Sequence, residues 1–122
     1  MDYVLDPEQV EFWSLDKHAG VSARLLADGR NMTVLYTTWA AGAKAPEHTH
    51  PHEQMGLCLQ GEAIFTIAGR DHFVKAGQFY HIPGNVPHAE RNDRPEPAVL
   101  IDFFSPARED LLRRRFEAET VK

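Results

Sequence analysis

Short apolar bursts separated by turn residues run through the chain from residue 21 to residue 104. Eight of them read as strands: Val21 to Leu26, Met32 to Ala40, Gln54 to Leu59, Ala63 to Ile67, His72 to Val74, Phe79 to Ile82, Ala89 to Asn92 and Ala98 to Phe104. Asp28-Gly29-Arg30-Asn31 and Ala68-Gly69-Arg70-Asp71 read as hairpin connections, with glycine supplying the positive φ of a tight turn. Strands this closely spaced, with no helical segment among them, predict an all-β fold: a sandwich or barrel of antiparallel strands. No internal repeat or low-complexity tract interrupts the pattern.

The ends of the chain read differently. Ser105-Pro106 followed by Ala107 to Leu112 predicts a helix start, with serine as N-cap and proline at the first helical position. Leu111, Leu112 and Phe116 share a helical face, so a short C-terminal helix within a tail at about 106–119 is expected to pack on the outside of the β domain or on a partner subunit. Arg113, Arg114 and Arg115 complement the helix dipole, with a binding patch as the alternative. In residues 1–20, Phe12 and Trp13 mark a segment that packs somewhere, a dimer interface among the options.

At 122 residues the chain is a single domain, with its core expected at about 20–105. With 43% hydrophobic and 25% charged residues it has the composition of a soluble globular protein. A formal charge of -5 argues against nonspecific nucleic-acid binding, which needs a basic surface. One cysteine excludes an intrachain disulfide and suits a reducing compartment; Cys58, in an apolar stretch, reads as a small buried residue rather than a nucleophile. No apolar run approaches the length of a membrane span, and the acidic start (Asp2, Asp6, Glu8, Glu11) is unlike an export signal, so a cytoplasmic location is expected.

The chemistry concentrates in histidine. Of seven histidines, His48, His50 and His88 are spaced so that two strands would aim imidazoles at one metal ion from opposite sides. An HxH pair in an extended strand puts both rings on one face, and Gln54 continues that parity. A solvated histidine-rich loop is the alternative. Against it stand Gly42 and Gly61 bracketing the first cluster, and Gly77 and Pro83 preceding the second, which place each in a strand-and-turn unit. Imidazole and amide donors accept a divalent transition metal (manganese, iron, nickel or zinc) and leave room for water or substrate. Three neutral imidazoles and one amide would leave the ion's double positive charge uncompensated, making it a strong Lewis acid. Gln54 also has a plain reading as a strand residue bonded to its neighbours.

Asp102 sits in the apolar strand Val99-Leu100-Ile101-Asp102-Phe103-Phe104, where a carboxylate is costly without a partner or a task. Leu100, Asp102 and Phe104 share a face by parity. Facing inward, Asp102 would shuttle protons, Phe104 would wall the pocket, and Arg108, returning after the Ser105-Pro106 turn, would clamp a carboxylate. A structural Asp102–Arg108 ion pair with Phe104 as core fits the residues equally. His81 is a candidate fifth ligand or pocket donor, and His52, after Pro51, is expected near the rim. Tyr36, Trp39, Met55, Phe65 and Tyr80 read as core or interface.

The two histidine groups, Gly42 to Gly61 and Gly77 to Asn92, resemble the paired motifs of the cupin superfamily. This chain departs from them at Gln54, where glutamate is usual, and at Asn85, where glycine usually follows Pro83. The resemblance implies a jelly-roll antiparallel β-barrel that holds a metal inside, commonly as a homodimer. Two further strings, His48-Thr49-His50-Pro51-His52-Glu53-Gln54 and Asp102-Phe103-Phe104-Ser105-Pro106-Ala107-Arg108, are similar to the KdgF cupins of pectin and alginate breakdown, which convert unsaturated monouronates into linear ketones. That resemblance implies metal ligation by His48, His50, Gln54 and His88, and catalysis by Asp102, Phe104 and Arg108 on a small carboxylated, sugar-derived substrate. The reaction would be an isomerase or tautomerase step without a redox cofactor. The alternatives are a non-haem metal dioxygenase, another small-molecule cupin isomerase or cyclase, and a non-catalytic ligand-binding cupin. Neither a nucleic acid nor a membrane is an expected partner.

Overall fold

The computed structural model of the protein describes residues 3–15 and 19–111. After a 3-10 turn at Pro7–Gln9 come ten strands: β1 (Phe12–Ser14), β2 (Val21–Asp28), β3 (Thr33–Trp39), β4 (Lys44–His48), β5 (Glu53–Gln60), β6 (Glu62–Ile67), β7 (Arg70–Lys75), β8 (Phe79–Ile82), β9 (His88–Arg91) and β10 (Ala98–Ser105). All eight expected strands are present. The two that escaped the pattern are short or nearly featureless: β1 has three residues, and β4, Lys-Ala-Pro-Glu-His, buries only Ala45 fully.

The strands form two antiparallel sheets, one ordered β1-β2-β3-β10-β5-β8 and the other β4-β9-β6-β7. They face each other as a jelly roll and do not close into one continuous barrel. Alternation sets the inward faces. On β3, Thr33, Leu35, Thr37 and Trp39 are buried, and on β10, Leu100, Asp102 and Phe104 are. The apolar core divides in two. Phe65, Ile82, Cys58 and Leu100 centre one cluster, and Trp13, Ala23, Leu35, Phe104 and Leu111 form the other. Cys58 is fully buried, and burial raises its thiol pKa, in keeping with a packing role.

The β6–β7 hairpin turns through Ala68 and Gly69, both with positive φ (50° and 82°), as a two-residue turn requires. Gly29, by contrast, does not take a positive φ. The Asp28–Asn31 connection closes instead through a bond from Gly29 N to Met32 O at 2.9 Å.

The predicted helix start shifts. Ser105 ends β10, its hydroxyl donates to Asn31 O at 3.0 Å, the Ser105–Pro106 peptide is cis, and helical backbone begins only at 109–111. Pro106 therefore turns the chain out of the sheet rather than opening the helix. The Arg108 amide donates to Thr33 Oγ1 at 2.7 Å, pinning the turn to β3. Leu111 packs on this chain's own second cluster; Leu112, Phe116 and the three arginines at 113–115 lie outside the described residues. Trp13 is likewise buried within its own chain, on β1 beside β2, while Phe12 points outward. No described helix is long and apolar enough to cross a membrane.

Candidate metal centre and its cavity

His48 ends β4 and His88 opens β9, and the two lie directly opposite each other in the antiparallel ladder. After His48 the chain leaves that sheet, and His50 lies in the connection to β5, so the HxH pair is not contained in one extended strand. The cause is topological: β4 and β5 belong to different sheets, and Thr49 to His52 must carry the chain across the gap. The backbone holds His50 there. Its carbonyl accepts from the Asn85 amide at 2.8 Å, and Gly84 packs so tightly that a Cβ on it would sit 2.5 Å from Pro51 O. Asn85 has φ 65°, a left-handed conformation that explains why it replaces glycine here more readily than most residues would.

Each of the three rings is locked by a main-chain carbonyl two residues away. Nδ1 of His48 donates to Pro46 O at 2.7 Å, that of His50 to His52 O at 3.0 Å, and that of His88 to Val86 O at 2.9 Å. Nδ1 therefore carries the proton, and Nε2 keeps its lone pair for the cavity. Burial holds His50 largely neutral, its pKa lowered to about 4, with the Arg108 charge adding to the effect; burial also lowers His88. One donor atom from each of the three lies within 4.8 Å of the others. His88 Nε2 is buried and has no hydrogen-bond partner among the described residues. Gln54, buried at the head of β5, turns Oε1 to within 3.1 Å of His50 Nε2, while its Nε2 donates to the Tyr80 hydroxyl at 2.9 Å. Two lone-pair acceptors thus face each other, which calls for an electron-poor partner between them. His48, His50 and His88 are positioned to bind a metal ion.

A second polar network backs the first. Asp102 on β10, Gly56 on β5 and Tyr80 on β8 stand in one row across three paired strands. Gly56 clears the space between the other two, since a Cβ on it would come 2.5 Å from both Ile101 O and the Tyr80 ring. The Tyr80 hydroxyl donates to Asp102 Oδ1, and Thr37 donates to Asp102 Oδ2 at 2.9 Å while accepting from Trp39 Nε1 at 3.0 Å. Burial raises the Asp102 pKa to about 6, and the bonds from Tyr80 and Thr37 hold it from rising further.

Glu90, two residues beyond His88 on β9, is a cavity residue that the sequence reading missed. It is buried, lies 3.9 Å from His88 Nε2, and accepts from Gln54 Nε2 at 3.5 Å. Its pKa is raised to about 8, first by burial and then by the Asp102 charge. The sequence reading took the amide at position 54 as the last group around the histidines and did not include this acidic side chain beside it. The signal was available, because His88 and Glu90 share strand parity.

The expected Asp102–Arg108 alternative is not formed. Arg108 gives Asp110 a two-pronged bond, Nε to Oδ1 at 2.9 Å and Nη2 to Oδ2 at 2.7 Å, and its guanidinium lies over the Phe104 ring at 4.8 Å from the centroid. Asp102, Phe104, Arg108 and Asp110 line one cavity of about 350 Å³ together with His48, His50, Gln54 and Glu90. His81 is outside it: β8 turns Tyr80 and Ile82 inward, leaving His81 exposed and paired with Glu53 at 2.8 Å. His52 is half-buried beside His50, with ring centroids 5.6 Å apart. Of the residues expected in the core or an interface, Trp39, Phe65 and Tyr80 are buried, while Tyr36 and Met55 occupy outward, half-buried positions.

The family model described as the cupin domain matches residues 35–104. The HTH-type transcriptional regulator PuuR of Escherichia coli strain K12 is 35% identical over 91 residues, 71% of this chain and 49% of the regulator, so the chain spans about half the length of that relative. The pectin degradation protein KdgF of Dickeya dadantii is 29% identical over 94 residues, 76% of this chain and 84% of that protein. In fold, the chain superimposes on KdgF from a Halomonas species with a TM-score of 0.81 and 20% identity, covering 91% of this chain and 99% of the other.

Proposed function

We propose that this chain, which belongs to the cupin family, is a metal-dependent isomerase that converts 4,5-unsaturated monouronates into their linear keto forms. The observation that carries the reading is a cluster of three imidazole donors, two of which line a cavity together with an inward carboxylate and a guanidinium on an aromatic shelf. His48, His50, His88 and the Gln54 oxygen would hold a divalent transition metal, whose chemistry is to stabilise negative charge developing on a substrate oxygen. Likeness to the pectin degradation protein supports the choice of substrate.

The chain's own residues divide the remaining work. Arg108 holds the uronate carboxylate by taking it in place of Asp110, and Phe104 beneath it excludes water from that end. Asp102 moves the proton. Its pKa near 6 lets it exist in both forms close to neutrality, so it takes a proton from a hydroxyl oxygen as the ring opens and returns one to the double-bond carbon as the enol becomes a ketone. The reaction is an isomerisation: one C–O bond breaks, one proton changes place, and nothing is oxidised.

A second reading, a domain that binds a small ligand without transforming it, is favoured by the similarity to PuuR, a transcriptional regulator. Incubation with unsaturated monouronates, following loss of the ultraviolet-absorbing double bond, separates the two. Asp102→Ala and Arg108→Ala should lose turnover yet keep the metal. Full activity in both variants rejects the catalytic assignment. Binding without turnover by the unaltered chain favours the second reading.

A further inference from the structure

Strand parity makes Glu90 part of the site. It lies two residues beyond His88 on β9, faces the same cavity, and stands opposite Ala45 and Phe65 on the flanking strands. Only 8% of it is exposed. Among the described residues no lysine or arginine pairs with its carboxylate. The polar atoms near it are Gln54 Nε2 at 3.5 Å and His88 Nε2 at 3.9 Å. A carboxylate buried beside an amide and a neutral imidazole is expensive until a cation shares the space.

The amide beside it has a direction to keep. Gln54 can aim Oε1 at the three imidazoles only while its NH2 group has acceptors on the other side, and those acceptors are Tyr80 and Glu90. A protonated Glu90 could instead donate its hydroxyl hydrogen to the Gln54 oxygen, and the amide could then turn and present hydrogens to the ion. We infer that Glu90 is the counter-charge and positioning residue of the metal centre, a carboxylate on β9 that balances the cation and fixes the Gln54 amide with its oxygen inward. This rests on the metal-centre part of the proposed function. It places on the second sheet-pairing strand the negative charge that the amide at position 54 cannot supply. The ion keeps net positive charge to attract an anionic substrate, but less than three imidazoles and an amide alone would leave it.

The test uses the full chain stripped of metal with a chelator. Zinc or nickel affinity is measured by competition with a chromophoric chelator for the unaltered protein and for Glu90→Gln, and thermal unfolding is recorded for both without metal. Glu90→Gln should bind the metal about 10- to 100-fold more weakly. The stripped variant should unfold within about a degree or two of the stripped parent, because the amide fills the same space and its oxygen can still accept from Gln54 Nε2. Glu90→Asp, which keeps the charge, should recover part of the affinity. Affinities within twofold of each other overturn the inference, as does a stripped Glu90→Gln that unfolds markedly earlier, which would mark Glu90 as merely structural. If the unaltered chain takes up neither metal, the metal centre itself fails. If it binds and Glu90→Gln binds equally, only the role of Glu90 does.

Discussion

The Tyr80 hydroxyl donates to Asp102 Oδ1 and at the same time accepts from the Gln54 amide, so one phenol joins the acidic group of the cavity to the residue that faces the histidines. Removing it strips a donor from one partner and an acceptor from the other. Tyr80→Phe should cost about 1–3 kcal/mol in urea unfolding, the range for leaving buried polar groups unsatisfied. It should also raise the proton affinity of Asp102, since the bond from Tyr80 lowers it, and so move the acid limb of the pH–rate profile to higher pH. An unmoved profile would show that Tyr80 does not tune Asp102.

Asp102 itself links stability to pH with a definite sign. Its pKa rises from an ordinary 3.8 to about 6 on folding, so the folded state holds the proton more tightly and this group's contribution to stability declines as pH climbs between those values. Above that window the loss is on the order of 3 kcal/mol. Asp102→Asn in the metal-free protein should therefore gain stability relative to the parent as pH rises from 4 to 6, with no further gain above. Parallel stability curves for the two proteins across that range, read by denaturant titration, would contradict it.

Gly56 is the clearance that lets Tyr80 reach Asp102. Its absent side chain would meet backbone and ring at 2.5 Å. Gly56→Ala should destabilise by about 1–3 kcal/mol through overpacking and should perturb near-ultraviolet dichroism from the displaced tyrosine. Parent-like stability with an unchanged tyrosine signal would show that the row of strands relaxes freely.

Arg108 meets Asp110 in the geometry it would use for a substrate carboxylate. Asp110→Asn should weaken that internal competitor and lower KM for a carboxylated substrate several-fold, whereas Arg108→Ala should raise it by about 10- to 100-fold, the worth of a charge-assisted pair. A KM indifferent to both substitutions would remove the carboxylate clamp from the proposed function.

Much of this molecule was legible before any coordinates. Alternation in Val99 to Phe104 put Asp102 and Phe104 on the inward face, and the spacing of glycine, proline and histidine brought His48, His50 and His88 to one place. What could not be read were relationships set by strand order. Nothing local to Lys44 to His48 marks a strand, because its partner β9 lies about forty residues away and supplies the pairing. Tyr80 read as core because its reach to Asp102 depends on a glycine in the strand between them. The sequence offered Arg108 either Asp102 or a substrate carboxylate, whereas its amide is anchored on Thr33 and its guanidinium turns to Asp110, two residues on, a local partner that strand alternation does not reveal. Parity did offer Glu90 beside His88, and the acidic residue went unread because the motif drew attention to histidine.

His48 and His88 belong to the four-stranded sheet, whereas Gln54 and Asp102 belong to the six-stranded one, and His50 hangs on the crossing between them. An ion held by the three histidines and Gln54 would be a rivet through both halves of the protein. Taking it out would loosen the join between the sheets, so amide exchange should quicken along β4 and β9, the strands that carry His48 and His88. Occupancy would then be audible in the breathing of the sandwich as well as in its chemistry.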